Sequence, residues 1–261
     1  MTQLATEARM ELAIASLREA LQVAGTPARI QAVRDYLKLD CDAFGVSVPE
    51  VRRAVISMIK EFAINDHDEV VALAAKLWSS TVYEERKAAV DLLVYRRKVL
   101  IPNDLRRVET MLRSAGTWAL VDECAEKVAG YIDQQFPVES AEYIDAWASQ
   151  SESFWLRRSA LLVLIGPLRK GVGDLSRFER YAVPMMAEKE FFIRKAIGWV
   201  LRDASRKQPE MVRAFAEKYS NQLSALSLRE ATRTLPPIEM GVARTTAPAN
   251  PRGASSLGSN V

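Results

Sequence analysis

The stretch "FWLRRSALLVLI", residues 154–165, sets two adjacent arginines beside a run of apolar residues. Leu156, Ala160, Val163 and Leu164 recur at the spacing of one helix face, and Arg157 and Arg158 flank that face. The same arrangement returns in "VPEVRRAV" (48–55), "YEERKAAV" (83–90) and "FFIRKAIG" (191–198). The first cation of each pair, at Arg52, Arg86, Arg157 and Arg194, is separated from the next by 34, 71 and 37 residues. The long interval is about twice the others, so a further unit is expected near residue 122. There the chain reads "GTWALVDECAEK" (116–127), a helical pattern whose charged pair is acidic, Asp122 and Glu123. A helix pair repeated about every 35 residues is the mark of an α-solenoid of HEAT-like units. Such units stack, share a core and curve, so that one helix of each pair lines a concave face.

The rest of the chain fits this all-α reading. Apolar residues recur at helical spacing throughout, and no segment makes a convincing strand. Breaks such as "AGTP", "GVSVP", "IPND", "SAGT", "FPVES", "SQSES", "GVGD" and "KQPE" punctuate the helices with Pro, Gly, Asn, Asp and Ser. One strand-like stretch, "YAVPMM", reads better as a helix with proline near its start. Residues 1–240 form the expected domain. The tail 241–261 is rich in Ala, Pro, Ser and Gly, poor in large apolar residues, and expected to be disordered.

Composition narrows the chemistry. The 261 residues are 49% hydrophobic and 26% charged, with a net charge of +3, so a polyanion surface must come from charge placement. Cys41 and Cys124 do not make a disulfide framework and suit a reducing cytoplasm. The amino terminus is an amphipathic helix pattern and not a signal peptide, and no run is long enough to span a bilayer. His67 is the single histidine, in "INDHDEV" at a helix start, where a surface position is expected. Histidine-based triads and metal sites therefore lack material, and neither metal nor cofactor is expected. Chemistry must run on carboxylates, Tyr, Trp, Lys or Arg.

Repeated cations on the inner helices would form a positive ladder able to cradle a nucleic-acid backbone. An acid within such a ladder repels phosphate. Asp122 is then either an ion-pair partner of an arginine in the next unit or a group with chemistry of its own. Trp118 lies one turn before it on the same face, and Tyr36, Trp155 and Trp199 occupy related places in other units. Several aromatics beside an acid suit a flat or cationic group.

At this point a resemblance becomes specific. "EKEFFIRKAIGWVLRDASRKQPEMVRAF" with "LSALSLREATRTL", "SFWLRRSALLVLI", "TWALVDECA" and "RDYLKLDCDAFGVSVPEVRRA" together resemble the DNA alkylation repair (AlkD-type) glycosylase family from about residue 5 to 237. The resemblance implies a HEAT-like-repeat enzyme that removes N3- or N7-alkylated purines from double-stranded DNA. It implies a monomer without cofactor or membrane attachment, acting in the bacterial cytoplasm. Matched motif by motif, Asp122 is the catalytic carboxylate, Trp118 its aromatic partner, and Arg158 the arginine that holds the backbone beside the lesion. Trp199 matches the tryptophan of the same cleft and Tyr36 the tyrosine near DNA. Arg202 matches a backbone-contacting arginine, and Arg157 and Arg194 join the basic ladder. The chain departs from the family pattern at Thr117 and Ala119, where relatives carry a second Trp and an Asp. Two other classes remain open on the residues alone: a solenoid that binds damaged or branched DNA without cleaving it, and a protein-binding scaffold.

Overall fold

Local signals start the helices where the pattern places them. Ser47 caps one start by accepting from the Glu50 amide while Glu50 reaches back to the Ser47 amide, and Asp66 caps another through the amides of Asp68 and Glu69. Proline sits in the first turn at Pro27, Pro137 and Pro209, where its missing amide is no loss. The computed structural model describes residues 3–235. The tail expected over 241–261, and the boundary at 240, lie outside those residues.

The order is α1 (Gln3–Ala24), α2 (Pro27–Leu37), α3 (Val48–Glu61), α4 (His67–Trp78), α5 (Tyr83–Tyr95), α6 (Leu105–Arg113) and α7 (Trp118–Glu123). A π-helical segment (Cys124–Ala129) follows at once. Then come α8 (Gly130–Gln135), α9 (Pro137–Ala148), α10 (Phe154–Leu162), α11 (Ile165–Lys170) and α12 (Leu175–Met185). The chain continues through α13 (Phe191–Ser205), α14 (Pro209–Lys218) and α15 (Ala225–Thr232). The described residues contain no strand, only an isolated bridge between Asp42 and Val82. No helix among them is long and apolar enough to cross a membrane.

The helices that carry the charged pairs stack in series. α3 packs on α5, α5 on α7 and its π extension, α10 on α7 and α13, and α13 on α15. Their faces supply the core: Val55, Leu92, Val121, Val128, Leu156, Ala160 and Val200 are each fully buried. Close approach matters at Gly130, where an added methyl would stand 3.0 Å from the Val163 carbonyl and push α8 off the chain after α10. The stack also bends. Arg52 on α3 reaches Glu123 on α7 at 2.8 Å, past the intervening α5. Helix axes in contact lie roughly 8–10 Å apart, so two side chains span two such intervals only if the row curves toward the side that bears them.

"YAVPMM" is helical, but its proline lies near the end of α12 and not near its start. Pro184 falls in the last turn, where it lacks the amide hydrogen that would bond the Arg180 carbonyl, and α12 ends at Met185. His67 is the first residue of α4. It is half-buried, bonded to Asp68 at 2.8 Å and to Asp104 at 3.0 Å. Both cysteines are free. Burial pushes the Cys124 thiol up to about 12, which leaves it unreactive.

Candidate functional site

Thr117 starts the site. It is buried in extended conformation ahead of α7, and its hydroxyl donates to the Leu37 carbonyl at 3.3 Å. That bond ties the end of α2 to the start of α7. Tyr36, the residue before Leu37, is thereby set edge-on to Trp118, with ring centroids 5.7 Å apart and planes at 82°. Tyr36 itself is 71% exposed.

One turn beyond Trp118, Asp122 faces α10. Arg158 donates from Nε to one carboxylate oxygen at 2.7 Å and from Nη2 to the other at 2.8 Å. Its Nη1 donates to the Phe192 carbonyl at 2.5 Å. Arg158 is 2% exposed, and its guanidinium lies over the rings of Phe192, at 5.6 Å, and Trp199, at 5.9 Å. Trp155 packs against Phe154 and Phe192 behind it. Asp122, Arg158 and Trp199 thus form one group drawn from three helices, α7, α10 and α13, with Trp118 one turn before Asp122 on α7. Burial pushes the Asp122 carboxyl above its ordinary value, and the bidentate arginine pulls against that shift.

Glu123, the next residue, turns the other way. It accepts from Arg52 at 2.8 Å, from Lys127 at 2.5 Å and from Lys87 at 2.8 Å, and Lys87 also meets Asp91 at 2.6 Å. Burial works against the Glu123 charge, but Lys87 and Lys127 outweigh it and hold the carboxyl at about 2. The adjacent acids therefore bind opposite neighbours, Asp122 the following unit and Glu123 the two preceding ones. The π segment that begins at Cys124 is the kind of local over-wide turn found often at functional positions.

The expected ladder of open positive charge is not what forms. Arg157 is held by Glu188 and by the Gln150 and Ser151 carbonyls. Arg194 donates to the Glu188 carbonyl and Arg86 to that of Ser80. The first cation of these pairs thus ties down the loop that enters its own helix. Arg202 pairs with Glu230, which also takes Lys195 at 2.7 Å. Packing between units demands a cation at the repeat period just as a polyanion would, and the repetition alone does not separate the two. Arg29 and Arg53 are exposed instead, the latter 3.8 Å from Glu50.

Sequence reasoning missed a cavity of about 610 Å³ beneath α2, bounded by Arg29, Tyr36, Tyr83, Trp118, Ala119 and Glu123. Its aromatics and Lys87 come from three units, so no single motif announces it; the one pointer was Glu123 beside Asp122. The loop under α2 is shaped by buried Glu84, which accepts from the amides of Phe44, Gly45 and Val46. Gly45 adopts a left-handed φ of 75° there. A smaller apolar cavity of about 240 Å³ between α4 and α6 contains none of these groups and offers no comparable chemistry. Among the described residues, no group of three or more His, Cys, Asp or Glu is arranged to hold a metal.

The family model described as "DNA alkylation repair enzyme" matches residues 17–235. Among solved structures, the chain is similar to a predicted DNA alkylation repair enzyme from Enterococcus faecalis. The TM-score is 0.73 and the identity 22%, over 81% of this chain and 96% of that one. It is also similar to smu.31 from Streptococcus mutans UA159, with a TM-score of 0.55 and 19% identity, over 72% and 93% of the two chains. AlkD2 from Streptococcus mutans gives a TM-score of 0.55 and 18% identity, over 78% and 96%. These identities support the likeness of fold alone. No curated protein matches the sequence.

Proposed function

Because the chain belongs to the DNA alkylation repair enzyme family, we propose that it is a DNA glycosylase acting on purines alkylated at N3 or N7. The observation that carries this reading is the Asp122 carboxylate, one helical turn after Trp118, held bidentately by a buried arginine whose guanidinium lies over Trp199. Alkylation at N3 or N7 gives the purine ring a positive charge. When the bond from C1′ to the base nitrogen breaks, its electron pair goes to the base, which leaves neutral. No general acid is needed, which suits a site without histidine. The sugar left behind has oxocarbenium character, and a nearby carboxylate stabilises it electrostatically. Water then bonds to C1′ and passes its proton by way of Asp122 to solvent. Trp118 and Trp199 exclude bulk water, in which the field of the carboxylate would be diluted.

Arg158 is 2% exposed and spends three of its five N–H donors on Asp122 and the Phe192 carbonyl. Its part in this mechanism is to fix both carboxylate oxygens. Contact with phosphate falls first to the exposed Arg29 and Arg53 and to Tyr36 at the rim. Arg157, Arg194 and Arg202 are each already tied to an internal partner and are less available to phosphate. The test is incubation with methylated duplex DNA followed by chromatography of released bases. Release of 3-methyladenine or 7-methylguanine is expected. Salt-dependent duplex binding without release would favour a non-catalytic damaged-DNA binder.

A further inference from the structure

We propose that a second row of cations, at the carboxyl-terminal ends of the stacked helices, is a track for the phosphate backbone of duplex DNA well away from Asp122; the inference rests on the reading above that the chain acts on such a duplex. Lys60 lies in the last turn of α3, Arg97 follows α5, Lys170 ends α11 and Lys207 follows α13. With Gln134 on α8 between Arg97 and Lys170, these positions are separated by 37, 37, 36 and 37 residues. All five side chains are exposed. The period is that of the arginine pairs at the opposite helix ends, but the partners differ. Arg157 and Arg194 are tied to their own loops. Lys60, Arg97, Lys170 and Lys207 form no ion pair among the described residues.

The positions join into one surface. Arg97, Gln134 and Lys170 line a single cleft of about 260 Å³ with Lys127, Tyr131 and Glu126. Glu126 is taken up by Arg169 at 2.8 Å, so the cleft stays positive. The Arg97 guanidinium lies over the Tyr131 ring, 4.9 Å from its centroid, a contact that steadies the side chain without using an N–H donor. A methyl added at Gly171 would stand 3.1 Å from the Lys207 Cβ, so Lys170 and Lys207 are neighbours. Lys127 also bonds Glu123, the acid that Arg52 reaches across α5. The cleft therefore opens on the side toward which the stack bends.

Dimensions fit the partner. With neighbouring helices roughly 8–10 Å apart, the row spans about 32–40 Å, close to one turn of duplex at about 34–36 Å. Gln134 lies roughly 18 Å beyond Asp122, at about 1.5 Å of rise per residue. The row thus holds phosphates remote from the reacting sugar. Cations at helix ends also complement the helix dipole. That role alone would move stability and leave salt dependence untouched.

The test is the salt dependence of binding of the full chain to an undamaged duplex of about 30 base pairs. The row variant combines Lys60→Gln, Arg97→Gln, Lys170→Gln and Lys207→Gln. Its plot of log affinity against log salt should be shallower by about 3–4, at roughly 0.9 per phosphate. A control removes four exposed cations of the outer helices through Arg106→Gln, Arg107→Gln, Arg180→Gln and Lys218→Gln, and should shift the slope by less than about 1. A row variant no shallower than the control, or one that melts earlier with its slope unchanged, overturns the track. Row-dependent binding of polyglutamate without binding of duplex assigns the surface to an acidic protein and overturns it too. Base release from methylated duplex by the native chain is measured in parallel. Release, with an unchanged slope in the row variant, removes the track and leaves the glycosylase reading standing. A shallower slope in a chain that releases no base removes that reading and leaves a duplex-binding track.

Discussion

Replacing Asp122 by asparagine separates a catalytic acid from a structural one, provided that both of its consequences are measured. The amide keeps one oxygen for Arg158 but turns an NH2 group toward a guanidinium donor. A buried arginine is then left without its counter-charge, since Arg158 is 2% exposed and its other contact is a neutral carbonyl. Breaking a buried pair by removing one partner typically costs about 3–5 kcal/mol, and the surviving hydrogen bond puts this case near 3. At roughly 2–4 °C per kcal/mol for a chain of this size, the melting temperature should fall by about 6–12 °C. Excision should fall further than folding explains. Loss of one preorganised electrostatic contact is worth about 2.7–4 kcal/mol, a hundred- to a thousandfold in rate. The assay is single-turnover release of 7-methylguanine, well below the variant's melting point and normalised to folded protein. A second variant, Asp122→Asn with Arg158→Met, should recover stability without recovering rate. Near-normal release per folded molecule would refute the catalytic role. An unchanged melting curve would refute the energetics of the pair.

The remaining expectations concern the neighbours. Glu123 has its carboxyl lowered from 4.5 to about 2 in the fold. The stability it contributes, roughly 3 kcal/mol at 1.36 per unit, is fully present above pH 4.5 and drains away as the pH falls toward 2. Glu123→Gln should flatten that part of an acid-unfolding curve, and an unaltered curve would count against it. Asp122 is shifted the opposite way, so the acid limb of the rate profile should lie above the ordinary carboxylate range, since only the ionised form acts. Arg157→Ala should lower the melting temperature and leave the salt slope of duplex binding unchanged. Arg29→Ala with Arg53→Ala should reduce that slope by about 2 and spare the fold; the reverse outcome would move the DNA surface. Tyr36→Ala, at an exposed ring, should move stability by under about 0.5 kcal/mol while reducing excision.

The register of the units was legible because paired cations recur where inner helices must begin, and the gap between Arg86 and Arg157 pointed straight at Asp122. Trp118 beside Asp122 was equally legible, as a spacing of four on one helix. What the cations bind was not. Glu188 and Glu230, the acids that neutralise Arg157 and Arg202, stand 31 and 28 residues further on, without any local signal. The cavity was hidden for the same reason, since Tyr36, Tyr83 and Trp118 meet only once three units have stacked. The π segment left no mark either: "CAEKVA" would serve equally in a regular helix. Local periodicity reports the face a residue turns inward, whereas the identity of its partner is a long-range property.

The reach of Arg52 across α5 to Glu123 bears on how the protein comes apart. Repeat proteins are ordinarily chains of nearest-neighbour couplings, in which an end unit frays without disturbing the next but one. Here Glu123 gathers a cation from α3 and another from α5, so one carboxylate ties three successive units together. Loosening α3 strips charge from α7, the helix that also bears Asp122. Melting in the amino-terminal half should therefore be concerted, and the reactive acid is wired to the integrity of a segment seventy residues upstream.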